Sequence, residues 1–358
     1  MLEAREAVRN LPTYHPPLGG REGLRLDFNE NTVGCSPRVL ARLREITAEE
    51  IARYPEREPI EALVAHHFGI KPDELLLTNG VDEAIHLLCE TFLQPGDEAL
   101  VVVPTFAMYE MSAAATGARV ITVPAHAAFQ FPAPDLLSQV TPRTRLIAIA
   151  NPNNPTGTVA EPEIVLEISR RVPQAAILID EAYFEFYGKT LLGEWRSLPN
   201  LFVARTFSKA YGLAGLRVGV LSGNAQHIQV VSKVSSPYNV NGVALACLPT
   251  ALADHDYVRQ YVDQVRQGRD ELQRELDHLG IRYWPSQANF VLASFGPSKT
   301  AFVQSMRARG ILVRDRSSDY GCEGCVRITL GTAEHTSRLL RALREALAEI
   351  DVKEVTAK

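Results

Sequence analysis

The sequence predicts an α/β protein in two parts, a large domain on a mostly parallel seven-stranded sheet and a smaller α/β domain after it. Two observations carry this. From Leu75 onward, short apolar runs alternate with turns and amphipathic stretches: Leu75–Leu77, Ala99–Val103, Val120–Val123, Leu146–Ile149, Ile177–Ile179, Leu201–Ala204 and Val218–Leu221. Runs this apolar are expected to be buried on both faces, as in a parallel sheet covered by helices. The second observation is a change of period. Tyr257, Val258, Tyr261, Val262, Val265, Leu272, Leu276 and Leu279 fall at helical spacing and stop at Gly280. That helix is expected to join the domains. Behind it lie the shorter runs Ile281–Trp284, Phe290–Leu292, Ile311–Val313 and Val326–Leu330, with helices expected from about residue 298 and from Ala333.

Taken in order, residues 1–36 carry Pro12, Pro16, Pro17, Gly19, Gly20, Gly23 and Gly34 and read as an extended arm. An arm of this kind is expected to pack on a partner subunit, which points to a dimer. A helix is expected after Ser36-Pro37, with the serine as N-cap and the proline at the first helical position. It should run to Arg53-Tyr54-Pro55, where the proline stops it. The large domain is then 37–253 and the small domain 254–358, the latter opening on the long helix.

Composition excludes several classes. At 358 residues the chain is long enough for two domains, and its net charge of −5 argues against a nucleic-acid binder. No apolar run approaches the roughly 20 residues that span a bilayer. The charged start, Met1-Leu2-Glu3-Ala4-Arg5-Glu6, lacks a signal-peptide core, so a cytoplasmic protein is expected. Five scattered cysteines imply no disulfide framework. Cys322 and Cys325 have a metal-like spacing but no second ligand pair, so a plain loop is expected there and no metal site.

In a doubly wound sheet, ligands sit beyond the carboxyl ends of the strands, so the residues after each run are the informative ones. After Leu77 come Thr78-Asn79-Gly80-Val81-Asp82-Glu83, which read either as a routine glycine turn or as a helix start whose free amides hold an anion. Phe106, after the second run, suits either core packing or stacking on a flat ring. Asn151-Pro152-Asn153-Asn154-Pro155 makes a rigid turn with more asparagine than a turn needs, so a side-chain amide is available to a ligand. Asp180 follows Ile177–Ile179 directly and should be partly buried, which demands a cation or several donors.

Lys209 lies in Thr206-Phe207-Ser208-Lys209-Ala210-Tyr211-Gly212, between two apolar runs. Lysine is rarely buried without a task, and desolvation lowers its pKa toward what an amine needs to condense with an aldehyde. Thr206, Ser208 and Arg217 beside it would suit a phosphate. None of Lys71, Lys189, Lys233, Lys299, Lys353 and Lys358 follows a buried strand in this way. Further on, Arg327 sits within an apolar strand and needs an anion, whereas Arg314 and Arg316 suit structural salt bridges more readily.

These motifs, in this order from Asn29-Glu30-Asn31 to Arg327-Ile328-Thr329-Leu330-Gly331, resemble the fold-type I, class I/II pyridoxal phosphate-dependent aminotransferases. The likeness is greatest to the histidinol-phosphate aminotransferase family. The resemblance implies that Lys209 carries pyridoxal 5′-phosphate and that Asp180 pairs with its ring nitrogen. Asn154 and Tyr183 would bind the ring's phenolic oxygen and Phe106 would stack on the ring. The amides of Val81 and Asp82, with Thr206, Ser208 and Arg217, would hold the phosphate, reached by Tyr54 from the other subunit of a homodimer. Arg327 would clamp a carboxylate, with Arg314, Asn29 and the partner-derived Tyr14 completing the substrate pocket. The implied reaction moves the amino group of L-histidinol phosphate to 2-oxoglutarate. An aromatic or broad-specificity aminotransferase is the alternative. Thr32 departs from the family pattern, which has proline there.

Overall fold

The computed structural model describes residues 2–13, 19–20 and 22–356. Tyr14 lies outside them. The strands of the large sheet are β2 (Leu75–Thr78), β3 (Glu98–Val103), β4 (Arg119–Pro124), β5 (Thr144–Ala150), β6 (Ala176–Asp180), β7 (Leu201–Thr206) and β8 (Gly219–Gly223). Those of the small sheet are β1 (Leu24–Leu26), β9 (Tyr283–Trp284), β10 (Phe290–Ser294), β11 (Ile311–Asp315) and β12 (Cys325–Thr329).

The large sheet has the order β2-β8-β7-β6-β5-β3-β4. β8 pairs antiparallel with both neighbours, and every other pair is parallel. Alternation along the central strands divides the core in two. Leu146, Ala148, Leu178 and Phe202 face one apolar layer, while Ile147, Ile149, Ile177 and Val203 face the other. This is the two-sided burial that the apolar runs predict. β4 is the exception: Arg119, Thr122 and Pro124 are exposed and Val120 and Ile121 only half-buried. It is an edge strand, and its outer flank has no neighbour to cover it.

The small sheet has the order β1-β11-β12-β10-β9. β1 comes from the expected arm and pairs in parallel with β11, Leu24 opposite Ile311 and Leu26 opposite Val313. Both leucines are buried, which the arm's proline and glycine content concealed. The helix Glu6–Arg9 lies near the helix Met108–Ala115, with Arg5 Nη2 donating to the Ala115 carbonyl at 3.0 Å. Where described, the arm therefore packs on its own chain.

Ser36 caps the helix Pro37–Glu45 by accepting from the Val39 amide, as expected. The helix does not continue to Arg53, however. Ile46 is extended, and Thr47 and Glu50 form a capping box that starts a second helix, Ala48–Ala52. The helix Gly242–Ala253 is followed by the long helix His255–His278, which ends next to Gly280 at φ +66°. Leu26, Tyr183, Phe207, Val262, Phe290 and Ile328 belong to one apolar cluster, so both sheets share a core at the long helix. Among the described residues no helix is long and apolar enough to cross a membrane.

Candidate active site

The order of the large sheet reverses at β5: the chain adds β3 and β4 on one side and β6 and β7 on the other. Loops diverge at such a switch point and leave a crevice at the carboxyl ends of the strands. A cavity of about 250 Å³ occupies it, bordered by Phe106, Asn154, Asp180, Tyr183, Lys209 and Arg217 among others.

Lys209 sits three residues beyond β7. Its turn is held by Thr206 Oγ1, which accepts from the Ser208 amide at 3.1 Å and donates to Ser208 Oγ at 2.9 Å. Gly212 closes the turn at φ +70°, and a Cβ there would lie 2.3 Å from the Gly34 carbonyl oxygen, so only glycine fits. Nζ donates to the Phe28 carbonyl at 3.3 Å. Burial, reinforced by the positive charge of Arg327, pushes the amine down from 10.5 to about 8. Near neutrality this lysine is far readier than a surface lysine to present a free electron pair.

Asp180 ends β6. Its Oδ2 accepts from Tyr109 Oη at 2.6 Å and its Oδ1 from the Ala182 amide at 2.9 Å. Burial outweighs these bonds and pushes the carboxyl up from 3.8 to about 6. The group therefore waits for a cation. Tyr109, which holds the Asp180 carboxylate, is not singled out by its place in the sequence, although a signal is present. It lies three residues after Phe106 at the start of a helix, a spacing that brings two side chains to one side. Their rings meet edge-on, 5.9 Å apart, Phe106 bordering the cavity while Tyr109 supports the carboxylate.

The linkage has a definite sign. Because the folded-state pKa of Asp180 is raised, its contribution to stability is full below pH 3.8 and is lost as pH rises through about 6. The cofactor-free protein should lose on the order of 2–3 kcal/mol over that window from this group. Asp180→Asn should flatten the slope in denaturant midpoints measured from pH 4 to 7. An unchanged slope would mean that the carboxylate already has its counter-charge.

Next to Val81, which also borders the cavity, Gly80 opens the helix Gly80–Phe92 at φ +75°. A Cβ there would lie 2.6 Å from Arg217 Nη2, so the glycine lets the guanidinium close over the helix start. The first amides of a helix have no partner within it, and those of Val81 and Asp82 are placed for an anion. Thr206, Ser208 and Arg217 border the same cavity. Arg217 Nη2 pairs with Asp82 Oδ2 at 3.0 Å, a half-exposed contact of little energetic weight that a stronger anion can share.

The three asparagines of the loop after β5 divide their work. Asn151 closes the loop on Ala160, accepting from its amide at 3.1 Å and donating to its carbonyl at 2.9 Å. Asn153 ties the loop to Pro104 and Thr105. Asn154 borders the cavity, and its Oδ1 accepts from Arg327 Nη1 at 2.5 Å. Arg327 also donates from Nη2 to the Asp27 carbonyl at 2.7 Å, and its Nε finds no acceptor among the described residues. No carboxylate pairs with it among those residues, and burial pushes it down to about 10. A buried arginine with an unfilled donor is a site for an anionic ligand.

The remaining expected residues that are described do not border this cavity. Asn29 does not border the cavity. Its φ of +55° turns the amide toward Tyr183 Oη, which accepts from Nδ2 at 2.9 Å, while Thr329 engages both its backbone amide and Oδ1. Asn29 thus orients the tyrosine. Arg314 stands directly across the ladder from Arg327, its guanidinium 5.2 Å from the Phe28 ring centroid. Tyr54 is 76% exposed and stacks on Tyr238 at 4.1 Å, away from the cavity of its own chain.

An amine nucleophile, a buried carboxylate, an aromatic face and an anion cradle around one crevice define an enzyme that handles amines through a flat, phosphate-bearing group. The comparisons with known proteins agree. The profile of the family described as "Aminotransferase class I and II" matches residues 21–347, and the chain belongs to that family. It is 33% identical to the histidinol-phosphate aminotransferase of Moorella thermoacetica, over 97% of this chain and 93% of that one. To histidinol-phosphate aminotransferase 2 of Pseudomonas fluorescens it is 36% identical, over 91% and 89%. The crystal structure of histidinol-phosphate aminotransferase from Sinorhizobium meliloti, in complex with pyridoxal-5′-phosphate, superposes with a TM-score of 0.88 at 26% identity, over 98% and 99%.

Proposed function

We propose that the crevice holds pyridoxal 5′-phosphate and that the protein transfers the amino group of L-histidinol phosphate to 2-oxoglutarate, giving imidazole-acetol phosphate and L-glutamate. The observation that carries the cofactor reading is that Lys209 and Asp180 border one cavity together with Val81 and Asp82, at the start of the helix Gly80–Phe92. When bound, the cofactor supplies an aldehyde and an electron-withdrawing ring. The chain supplies the rest. Asp180 is the counter-charge for a protonated ring nitrogen, and Tyr109 and the Ala182 amide hold it in place. Tyr183 and Asn154 border the cavity together as donors to a phenolic oxygen. Lys209 Nζ, with its depressed pKa, would take the proton from the donor's Cα as base and then, as acid, deliver it to the carbon that had been the cofactor's aldehyde. Arg327 clamps a carboxylate by its guanidinium, and with Arg314 it provides the positive charge that a substrate phosphate needs.

The donor reading is supported by relatives named for histidinol phosphate that align over nearly the whole chain. Tyr54, exposed on its own chain, is assigned to the phosphate of a second copy, and Tyr14 to its substrate pocket. The working unit is then a homodimer, and its compartment the cytoplasm. Residues 37–253 are assigned as the cofactor-binding domain and 254–358 as the domain that brings Arg314 and Arg327 to it.

The test is a single-turnover comparison of L-histidinol phosphate, L-phenylalanine and L-glutamate as donors to the cofactor-loaded enzyme. Conversion at least tenfold faster with histidinol phosphate than with phenylalanine is expected. Faster conversion of phenylalanine would move the function to aromatic amino acids on the same scaffold.

A further inference from the structure

The turn after β11 carries a second arginine that the proposed reaction does not use. Arg316 stands two residues beyond Arg314, which is itself opposite Arg327 in the β11–β12 ladder. Its backbone amide donates to the Cys325 carbonyl at 3.0 Å, which pins the turn against β12 two residues before Arg327. Its side chain is 15% exposed and forms an ion pair with Asp319, itself 20% exposed.

Hydrogen-bond satisfaction here is incomplete chiefly on the donor side, the unfilled acceptor of this turn being Asp319 Oδ2. Arg316 Nε, Ser317 Oγ and Arg327 Nε are all buried without a partner among the described residues. Each can donate, and buried donors without acceptors are rare in folded proteins. Among the groups bearing on Arg327, Arg316 and Arg314 act as positive charges, and Tyr183 and Asp319 act in the opposite sense. Positive charge from three arginines gathers here, and the unfilled donors outnumber the unfilled acceptor. A ligand with several oxygens and more than one negative charge answers both deficits, as a phosphate monoester does.

We propose that Arg316 is a specificity-determining residue for phosphate-bearing amino donors, and that Asp319 is the resident anion which the donor's phosphate displaces from it. This rests on the donor reading above. A carboxylate carries one charge and two oxygens, so it holds Arg316 only until a dianion with three free oxygens arrives. A donor without a phosphate must leave the Arg316–Asp319 pair intact and gains nothing from it. The pair thus raises the discrimination between phosphorylated and unphosphorylated amines, rather than affinity for amines in general.

The experiment uses the cofactor-loaded enzyme and its Arg316→Gln and Asp319→Asn variants. The readouts are kcat and KM for L-histidinol phosphate and L-phenylalanine, and the inhibition constant of inorganic phosphate. Arg316→Gln removes a charge-assisted bond, so the ratio of kcat/KM for histidinol phosphate to that for phenylalanine should fall about 10- to 100-fold. The loss should lie mostly in KM. Asp319→Asn should lower the inhibition constant of inorganic phosphate at least about threefold, because Arg316 no longer has a competing carboxylate. A turn that matters only for folding would move both donors together, and an unchanged ratio in Arg316→Gln overturns the proposal. So does weaker inhibition by phosphate in Asp319→Asn, the measurement that still decides if Arg316→Gln fails to fold. Wild-type preference for phenylalanine would overturn the donor reading instead, while the phosphate inhibition constants would still judge Arg316.

Discussion

Lys209→Ala should lose at least about 10⁴-fold in turnover, the upper range for removing a positioned proton-transfer group. The lysine is also the only described amine on the cavity wall, so no neighbour can take over its contact with the cofactor. The fold should survive, because Nζ donates over 3.3 Å to the Phe28 carbonyl alone among the described residues, and removing a desolvated amine relieves a cost. Circular dichroism and the midpoint of thermal unfolding would check the fold, and coupled production of L-glutamate would check turnover. Turnover within tenfold of wild type would remove Lys209 from the mechanism.

Arg327→Lys keeps the charge but loses the planar guanidinium. One nitrogen cannot at once reach Asn154 Oδ1, the Asp27 carbonyl and a substrate carboxylate, as the guanidinium's donors can. Two charge-assisted bonds are at stake, each of about 1.5–3 kcal/mol. A fall of about 10²–10⁴-fold in kcat/KM for 2-oxoglutarate is therefore expected. The effect should be visible in steady-state kinetics with the keto acid varied, and it should persist at pH 7, where both side chains are charged. A change of less than threefold would mean that the carboxylate binds elsewhere. Stability should change far less, since the native arginine already has an unfilled donor and a buried charge without a carboxylate.

Much of the fold and of the site is legible in the order of the residues, for identifiable reasons. Apolar runs report burial on both faces, and the seven runs correspond to the seven strands of the large sheet. The helical spacing that ends at Gly280 corresponds to His255–His278. Residues immediately after parallel strands are where ligands bind, so Phe106, Asn154, Asp180 and Lys209 can be selected by position, and all four border one cavity. One misreading is local, the Thr47–Glu50 capping box that splits the helix expected from Pro37 to Arg53, while others depend on contacts between distant segments. β4 contains the apolar run Val120–Val123, yet at the sheet edge it is left more exposed than the central strands. Leu24–Leu26 lies among glycines and prolines, and its partner is a strand nearly 300 residues away.

Local patterning thus suffices for the two-part α/β architecture, the succession of strands along the chain and the chemical types at the head of each loop. Strand period, helix period and turn chemistry are properties of neighbouring residues. Which groups meet is a property of the folded chain. Folding brings Tyr109 to Asp180, sets Asn29 behind Tyr183 rather than on the cavity wall, and leaves Arg327 with an unfilled donor. It also places Arg316 and Asp319 beside that arginine through the pairing of β11 with β12. Burial, satisfied bonds and shifted pKa values depend on what lies within a few ångströms in space, and side chains hundreds of residues apart become neighbours only when the two sheets close on their common core.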